Sequence, residues 1–529
     1  MRKKSVVLLG GSTFFMKNGI QKGMQDYIDQ HNQSKNKTYD LELYNFSLSA
    51  SCAIHSLFAL KNNYGIIQNS ELIVINTNIS ICGMYYQNFS LDILMRNYEA
   101  LCKELAILNI KILVITNPIK GNNKDFDNKI NIVNKLIYKK TKEYGFNHID
   151  MQRYYEENYI NEFFKTSDPF HQLGTIMQVL GKNILKNIDH FKQNTIRNIS
   201  ASEYLIKSPL EIFDLKEDLE YKCFQNSAFK KDIYKLNGGV KLKFKNEYQG
   251  YTILGIGVCN CFEQSHCSFM NFILENQKNR IVKKVGGEFY LLHAIEGKFC
   301  IDKQSFMYID LNNEKPTESS VLIDNNLENT NNILHCGLNI FFLAKLDSDL
   351  IEAIDLKVLA DENIEIAEKY NFSHLIPPVK FYKELIEEYC MRMDPIKYAS
   401  LPKYAISAKQ RIQNHLSYKL GSALIENSKS ILGYIRMPFV LSYIRDKHKK
   451  DQLAYEAKMK KNPNLTLPPL TSYLDYKEAL KEKECFTYKL GEAFIKAYKA
   501  WYKGGWIKFI FNLLKLKKNL IKIKRANMN

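Results

Sequence analysis

The first 195 residues alternate between short apolar runs and longer amphipathic stretches, and this alternation constrains the fold more than any other feature of the chain. The apolar runs predict five strands, at 5–9, 41–46, 72–76, 110–116 and 148–151. Helix-like stretches lie near 17–32, 52–63, 90–107, 126–144 and 172–191. Such a β-α-β alternation predicts a parallel sheet covered by helices on both faces, with functional residues at the carboxyl ends of the strands.

Residues 196–375 have a different pattern. Short apolar runs such as "GVKLKF", "YTILGIGV", "EFYLLHAI", "SFMYIDL" and "NIFFLAKL" are separated by turn-forming stretches such as "NGG" and "DLNNEKP". This spacing predicts a mainly antiparallel β domain, either a sandwich or an open barrel. No catalytic signature lies in this region, and we expect it to bind substrate or to provide packing.

Residues 376–529 predict helices and contain a duplication. The stretch "YKLGSALIENSKSILGYI" from Tyr418 recurs as "YKLGEAFIKAYKAWYKGG" from Tyr488, and the segment "KNPNLTLPPL" between the copies should be extended. The predicted fold class is therefore α/β, with a parallel sheet between layers of helices over 1–195, a mainly β domain over 196–375 and a helical, basic region over 376–529.

The positive charge of the chain is confined to this last region. The net charge is +18, and residues 380–529 contain 31 Lys and Arg against 13 Asp and Glu, so residues 1–379 are neutral. This distribution argues against nucleic acid as a partner of the N-terminal part. It predicts that the C-terminal part contacts an anionic surface.

The last stretch, 497–525, combines nine Lys and Arg with both tryptophans of the chain, Trp501 and Trp506, and with Phe, Leu and Ile. A basic helix of this composition is typical of one that lies on an anionic membrane surface. The alternative is a basic helix packed on its own protein. No run of about 18 apolar residues is present, so we expect a cytoplasmic protein peripheral on the inner face of the membrane.

Ser12 follows the first predicted strand in "VVLLGGSTFF", and Asp168 and His171 lie three residues apart in "TSDPFHQLG". A serine nucleophile needs a base, a group that orients the base, and donors for the oxyanion. His171 could accept the serine proton while Asp168 fixes the imidazole tautomer. The alternative is structural, with Ser12 in a strand-to-helix turn and "SDPFH" as a helix cap followed by a chance histidine.

These positions resemble the SGNH (GDSL-like) hydrolase superfamily. The family's first block, Gly-Asp-Ser, corresponds to Gly10-Gly11-Ser12, and its last block, Asp-x-x-His, to Asp168–His171. The resemblance covers about 1–195 and implies a flavodoxin-like fold with Ser12, His171 and Asp168 as catalytic residues.

The resemblance also implies an oxyanion hole, formed here by Asn78, Ser49 and Gly11. In "VINTNISI" the asparagine of the family's third block falls on Asn78, or on Ser80 in an alternative register. The glycine of the second block is replaced by Ser49 or Ala50. A cysteine cluster of Cys259, Cys261 and Cys267 beside His266 is a weak metal signal, and we expect no metal site.

The duplicated helices resemble the C-terminal tails of capsule and lipooligosaccharide transferases of ε-proteobacteria, some of which are linked to O-methyl phosphoramidate addition. The combined expectation is a transferase that adds a small group, O-methyl phosphoramidate or acyl, to a sugar hydroxyl of a capsular or cell-surface polysaccharide. One alternative is an SGNH-type esterase that removes acyl groups from glycans. Another is a non-catalytic, membrane-associated polysaccharide-assembly protein.

The transferase hypothesis implies a polysaccharide acceptor, an activated small-group donor that could be nucleotide-linked, and no cofactor. The anionic inner-membrane surface would be the partner of the C-terminal basic helices.

Overall fold

The structure is a computed structural model of the chain. It describes residues 2–160, 163–164, 168–194, 199–225, 229–262, 269–286, 290–320, 333–345, 354–393, 408–461, 469–473, 475–500, 502, 504–505, 508–509 and 511–513. Contacts between residues divide the chain into two compact units, Met1–Phe381 and Tyr382–Asn529. The first unit contains both the α/β region and the β-rich region.

The α/β region is built on a five-stranded sheet in which every pairing is parallel. Its strands are β1 (Arg2–Gly10), β2 (Tyr39–Asn45), β3 (Leu72–Asn76), β4 (Lys111–Thr116) and β5 (Asn147–Asp150). The order across the sheet is β2-β1-β3-β4-β5. This is the flavodoxin-like arrangement, in which the chain reverses direction across the sheet beside the first strand.

Helices follow every strand of this sheet. They are α1 (Ser12–Phe15), α2 (Ile20–Gln33), α3 (Ala53–Asn62), α4 (Tyr64–Ile67), α5 (Asn78–Tyr86), α6 (Leu91–Ile107), α7 (Lys124–Glu143), α8 (Met151–Asn158) and α9 (Gly174–Lys186). Val7 and Leu9 join the apolar cluster that includes residues of α3 and α6. Because side chains alternate along a strand, Val6 and Leu8 point to the opposite face, and they are also fully buried.

The predicted five-strand α/β fold is confirmed. The apolar pattern does not show the single-turn helices α1 and α4 or the longer helices α5 and α8. Helix α5 begins at Asn78, inside the stretch matched to the third family block, and is apolar on all sides. Met151 begins α8 instead of ending β5, because the Asp150 side chain accepts a hydrogen bond from the Arg153 N–H and caps the helix.

The β-rich region is a sandwich of two antiparallel sheets, so the predicted mainly β domain is confirmed and takes the first of its two predicted forms. Its strands are β6 (Glu203–Lys207), β7 (Phe213–Asp214), β8 (Tyr221–Gln225), β9 (Lys230–Asn237), β10 (Lys241–Phe244), β11 (Thr252–Val258), β12 (Phe269–Glu275), β13 (Arg280–Gly286), β14 (Leu291–Ala294), β15 (Phe306–Ile309) and β16 (His335–Lys345). One sheet has the order β13-β12-β15-β10-β7; the other is β14-β11-β16-β9-β8, with β6 also paired to β16. Phe272 and Met307 of the first sheet share one core with Ile256 and Phe341 of the second.

The sandwich buries part of its outer face against the α/β region. The rings of Phe58 on α3 and Phe342 on β16 meet edge to face with centroids 5.9 Å apart. The Arg96 guanidinium on α6 donates to the carbonyl oxygens of Ile295 and Glu296, at 3.2 and 3.4 Å. These contacts fix the β-rich region beside the helices that flank β1.

Beyond β16 the chain returns to the parallel sheet. After the short helix α10 (Pro209–Ile212), which lies between β6 and β7, the next helix among the described residues is α11 (Leu356–Asp361). It is followed by 3₁₀ turns at Glu368–Tyr370 and Ser373–Leu375. The Ser373 hydroxyl accepts a hydrogen bond from the Asp150 N–H at 3.0 Å. Helix α12 (Val379–Met393) contains the boundary between the two units. Further 3₁₀ turns of the described residues are Asn246–Tyr248 in the sandwich and Leu470–Ser472 in the second unit.

The second unit is helical, as predicted. Besides the end of α12, the helices among its described residues include Ala408–Gln413, Leu416–Asn427, Ile431–Lys461, Tyr476–Glu484 and Phe486–Lys499. The two "YKLG" copies lie on Leu416–Asn427, the first repeat helix, and Phe486–Lys499, the second repeat helix. Most of the segment predicted to be extended, together with Trp501 and Trp506, lies outside the described residues.

The repeated glycines are the points at which the two repeat helices cross. A Cβ atom built on Gly421 would lie 1.8 Å from the carbonyl oxygen of Thr487, and one built on Gly491 would lie 1.7 Å from that of Ser417. Each glycine thus contacts the residue just before the other "YKLG" copy. The duplication forms a pseudo-symmetric helix pair whose close approach requires a residue without a side chain at both positions.

None of the helices in the described part of the chain combines the length and hydropathy that crossing a membrane would need.

We predict that Gly421→Ala destabilises the second unit, because the added methyl group must push the repeat helices apart. Overpacking of this kind costs about 1–3 kcal/mol. Faster cleavage within 408–500 during limited proteolysis, mapped by mass spectrometry, would report the loss. Gly83→Ala is the matched control, since a Cβ there meets nothing within 4 Å. Equal cleavage of the two variants would contradict the prediction.

Candidate active site

Ser12 lies at the carboxyl end of β1, where the strand turns directly into α1. The N–H groups of Phe14 and Phe15 both donate to the Gly11 carbonyl oxygen at 3.2 Å, which forms the turn. A Cβ atom at Gly10 would come within 2.6 Å of the Asn76 carbonyl oxygen on the neighbouring strand. The glycine therefore lets β1 and β3 stay in close contact up to the turn that presents Ser12.

The structure brings the three predicted catalytic side chains into one hydrogen-bonded chain. The Ser12 Oγ and the His171 Nε2 are 2.6 Å apart, across 159 residues of sequence. On the other side of the ring, the His171 Nδ1 lies 2.6 Å from the Asp168 Oδ2. The side chain of His171 is 17% exposed and that of Asp168 is 35% exposed, so solvent and substrate can reach the site.

The loop that carries Asp168 and His171 is anchored to the segment after β4. The Gln172 amide, which is buried, donates to the Pro118 carbonyl oxygen at 2.8 Å. The Lys120 N–H donates to the Pro169 carbonyl oxygen at 2.9 Å. The second carboxylate oxygen of Asp168 accepts from the Phe170 N–H at 2.9 Å. These bonds hold the imidazole at the serine.

This geometry provides the parts of a nucleophilic serine site. When Asp168 accepts the Nδ1–H of His171, the lone pair of Nε2 faces the Ser12 hydroxyl and can take its proton. The backbone N–H of Ser12 lies in the first turn of α1, where a helix offers no internal partner. It is therefore a candidate donor to an oxyanion.

The Asn78 amide is engaged inside the α/β core. Asn78 is 1% exposed, and its Nδ2 donates to the Asn117 carbonyl oxygen at 2.8 Å and to the Asn134 Oδ1 at 3.3 Å. Its Oδ1 accepts from the Asn76 amide and from the Asn117 N–H. The structure thus brings Asn78 to the ends of β3 and β4, where it joins the two strands, and not to the Ser12 hydroxyl.

Ser80 is the residue of this block that comes next to the turn. A Cβ atom at Gly11 would lie 2.8 Å from the Ser80 Oγ, so the serine hydroxyl faces the Gly11 backbone. This placement matches the alternative register of the third block. The sequence alone allows two alignments of the third block, because both Asn78 and Ser80 follow β3 closely. Helix α5, which begins at Asn78, determines where each of the two side chains points.

The segment after β2 runs along the other side of the turn. The Leu48 N–H donates to the Gly10 carbonyl oxygen at 3.1 Å, and the Ser51 carbonyl oxygen is 3.7 Å from a Cβ built on Gly11. Ser49 lies within this segment. Ala50 has φ +53°, a left-handed conformation that favours glycine and costs other residues about 1–2 kcal/mol. Ala50 thus occupies the backbone conformation that suits the glycine of the second block.

A second pair of a hydroxyl and a histidine in the same region is sealed off. The Thr116 Oγ1 and the His148 Nε2 are 2.8 Å apart at the junction of β4 and β5, and both residues are buried. Burial lowers the pKa of His148 to about 3, so this ring is neutral and inaccessible. Of the two pairs, that of Ser12 and His171 is the one open to a substrate.

Two cavities flank the turn at Ser12. One, of about 400 Å³, is lined by residues that include Thr13, His171, Gln172 and Met177. The other, of about 630 Å³, extends to the β-rich region. Met16 and Lys17 line both cavities. This arrangement could not be predicted from the sequence, since the cavity walls come from segments that lie far apart in the chain.

The predicted cysteine cluster lies partly outside the described residues. Cys259 is buried and Cys261 is half-buried, whereas His266 and Cys267 are not described. Within the described ranges, no group of three or more His, Cys, Asp and Glu residues is arranged to hold a metal ion.

Comparison with protein families gives one match, over residues 323–522, to a family described as a domain of unknown function (DUF8374). The match spans the end of the sandwich and most of the second unit, and its description attaches no activity. No curated protein matches the chain.

Several solved structures resemble part of the chain at low identity. An acetyl xylan esterase, AlAXEase, is 16% identical, with 34% of this chain and 98% of that chain covered and a TM-score of 0.30. A two-domain esterase active on acetylated mannans is 8% identical, with 66% of this chain and 92% of that chain covered and a TM-score of 0.43. A lipase/acylhydrolase from Enterococcus faecalis is 16% identical, with 37% of this chain and 100% of that chain covered and a TM-score of 0.30. At these values the likeness says nothing about the substrate of this chain.

We predict that a fluorophosphonate probe labels Ser12, because its hydroxyl is hydrogen-bonded to the accessible imidazole of His171. His171→Ala should slow labelling by about 10²-fold or more, the usual contribution of a general base. Asp168→Asn should also slow it, since the imidazole loses the acceptor that fixes its tautomer. Mass spectrometry of the labelled peptides measures both effects.

Ser90→Ala is the control for this experiment, because Ser90 also precedes a helix of the α/β region but is exposed and has no histidine partner among the described residues. Its labelling rate should equal that of the unmodified protein. Labelling of Ser12→Ala at the original rate would show that the hydroxyl of the turn is not the nucleophile.

Proposed function

We propose that the protein is a serine-dependent enzyme that transfers a small acyl-type group to a sugar hydroxyl. The observation that carries the proposal is the hydrogen-bonded chain from Ser12 through His171 to Asp168, at 2.6 Å for each link. The turn at Ser12 stands at the carboxyl end of the sheet, where ligands bind in this class of fold.

In the first step, the Ser12 Oγ attacks the acyl carbon of a donor ester while the His171 Nε2 takes the hydroxyl proton. The bond to the leaving group then breaks, the leaving oxygen takes the proton from Nε2, and an acyl-serine remains. The Ser12 N–H, with the backbone of residues 49–51 and the Ser80 hydroxyl nearby, would stabilise the negative oxygen.

In the second step, an acceptor hydroxyl gives its proton to Nε2 and its oxygen attacks the acyl carbon. The new ester forms as the bond to Ser12 breaks, and the serine recovers its proton. A sugar hydroxyl as acceptor makes the enzyme a transferase, and water makes it an esterase. The two cavities that share Met16 and Lys17 favour transfer, because they offer separate space for donor and acceptor.

The resemblance to capsule transferases adds a finer proposal. The acceptor would be a capsular or cell-surface polysaccharide, and the group would be acyl or O-methyl phosphoramidate from an activated donor. A tetrahedral phosphorus centre would need the same nucleophile and the same oxygen-stabilising donors. The proposed chemistry requires no cofactor.

We further propose that the second unit places the enzyme on the anionic inner face of the cytoplasmic membrane. Ile431, Leu432 and Phe439 are 76–82% exposed on one helix, which continues into the basic stretch Arg445–Lys450, "RDKHKK". Exposed apolar side chains together with cationic ones are the combination that favours binding to an anionic bilayer interface.

The activity is tested with 4-nitrophenyl acetate as donor and an oligosaccharide as acceptor. We expect release of 4-nitrophenol and acetylated sugar, detected by mass spectrometry, with both lost in Ser12→Ala and retained in Ser90→Ala. Acetate without acetylated sugar would assign an esterase. Equal turnover by Ser12→Ala and the unmodified protein would contradict a serine-dependent enzyme.

Membrane binding is tested by flotation with vesicles of phosphatidylglycerol and of phosphatidylcholine. The triple variant Ile431→Ser, Leu432→Ser, Phe439→Ser should bind phosphatidylglycerol at least about tenfold more weakly, because these side chains supply the apolar part of the interaction. Tyr221→Ser, Leu334→Ser, Val358→Ser is the control, since these side chains are also more than half exposed but lie in the first unit. Equal binding to both lipids, or no loss in the first triple variant, would contradict the proposal.

A further inference from the structure

The larger cavity beside the Ser12 turn is built by both regions of the first unit. Its volume is about 630 Å³, which lies in the range of small-molecule sites. Phe15, Phe46 and Phe58 come from the α/β region, and Phe229 and Tyr290 from the sandwich. The walls are therefore largely aromatic and are fixed by the contact between the two regions.

One cation in this cavity has no counter-charge. Lys231 lines the cavity, is half-buried, and has no hydrogen bond or ion pair within the described part of the chain. Its Nζ instead lies over the rings of Phe58 and Tyr290, 5.9 and 5.7 Å from their centroids. Burial among these groups lowers the pKa of Lys231.

Another lysine of the sandwich, Lys283, is buried and is paired with carboxylates of the chain itself. Lys283 is 1% exposed, and its Nζ is paired with Glu318 at 3.1 Å and with Glu296 at 3.4 Å. A buried charge normally has such partners, because leaving it unpaired is costly. Lys231 is half-buried and has no such partner among the described residues, and it lies in a cavity that has room for an anion.

Two further polar groups in the same cavity are left without partners among the described residues. The Nδ1 of His55 is buried and unpaired, while its Nε2 lies 3.4 Å from the Phe46 carbonyl oxygen. The pKa of His55 is lowered to about 4, mainly by burial, so Nδ1 of the neutral ring can accept a hydrogen bond. The Ser47 Oγ is buried and unpaired as well.

We infer that this cavity binds an anionic sugar unit of the acceptor glycan, with Lys231 as the counter-charge. The carboxylate of a uronic acid and the phosphate of a sugar phosphate share the required chemistry. The apolar C–H face of a pyranose would lie against the aromatic walls, and its hydroxyl groups would lie beside His55 and Ser47, which line the same cavity. The inference rests on the proposed function and specifies its acceptor.

The test is direct binding, measured by saturation-transfer NMR and calorimetry with glucuronate, glucose 1-phosphate and methyl glucoside. At least one anionic probe should bind about tenfold more tightly than the neutral one, the order expected for a hydrogen bond to a charged group. Preference for glucuronate would assign the carboxylate, and preference for glucose 1-phosphate would assign the phosphate. Equal binding of all three probes, or no binding, would overturn the inference.

Lys231→Met should remove the preference for the anionic probe, whereas Lys231→Arg should retain most of it. Lys243→Met is the matched control, because Lys243 is a half-buried lysine of the other sheet and does not line the cavity. Retention of the preference in Lys231→Met, with its fold verified by circular dichroism, would overturn the role of this lysine.

Binding needs no turnover, so the two claims can fail separately. If Ser12→Ala loses activity but neither the unmodified protein nor any variant prefers an anionic probe, the acceptor site alone is refuted. Full activity of Ser12→Ala together with a preference that depends on Lys231 would refute the serine mechanism. The cavity would then be an anionic sugar site of different use.

Discussion

The hydrogen bond between the Ser12 Oγ and the His171 Nε2 joins the first strand of the α/β region to the loop before its last helix. It can form only if β1 lies inside the parallel sheet and if the loop before α9 is tied to the segment after β4. Local sequence does not bring two residues 159 positions apart together. The order of the strands does, because it collects the carboxyl ends of β1, β3 and β4 at one edge.

Around this bond, the polar side chains divide into two groups. The side-chain amides of Asn76 and Asn78 bond to each other, and that of Asn78 also bonds to the Asn117 backbone. The Asn117 side-chain amide donates to the Thr13 hydroxyl. These groups hold the strand ends and α1 in place. Ser12 and Ser80, by contrast, are half-buried and face the turn from which a substrate would be bound.

Much of the fold could be predicted from the sequence, because buried parallel strands are continuous apolar runs and each of the five stood out. Helix α5 did not, since it is apolar on all sides and carries no periodic signal. The grouping of Ser12, Asp168 and His171 could be predicted because a serine, a histidine and an aspartate at these positions match the parts of a serine nucleophile site. The direction of the Asn78 amide and the backbone angle of Ala50 depend on neighbours from other strands.

The same limit applies to the β-rich region and to the second unit. Lys231 is an ordinary strand lysine in the sequence, and only the packing of the sandwich against α3 shows that it stands without a counter-ion in a cavity. The "YKLG" repeat was visible as a duplication, yet its physical reason is the mutual contact of Gly421 and Gly491. In both cases the sequence contains the residue, and the three-dimensional contact gives it a role.

The most direct test of the central claim, that Ser12 is the nucleophile of a group transfer to a glycan, is made on the polysaccharide itself. Cell-surface polysaccharide from cells that produce the unmodified protein or Ser12→Ala, at equal protein levels, would be compared by proton and phosphorus NMR and by mass spectrometry. If Ser12 is the nucleophile, an acyl or phosphoramidate substituent is present on the polysaccharide of cells with the unmodified protein and missing from that of cells with Ser12→Ala. Identical polysaccharides from the two strains would contradict it and leave Ser12 as a structural turn.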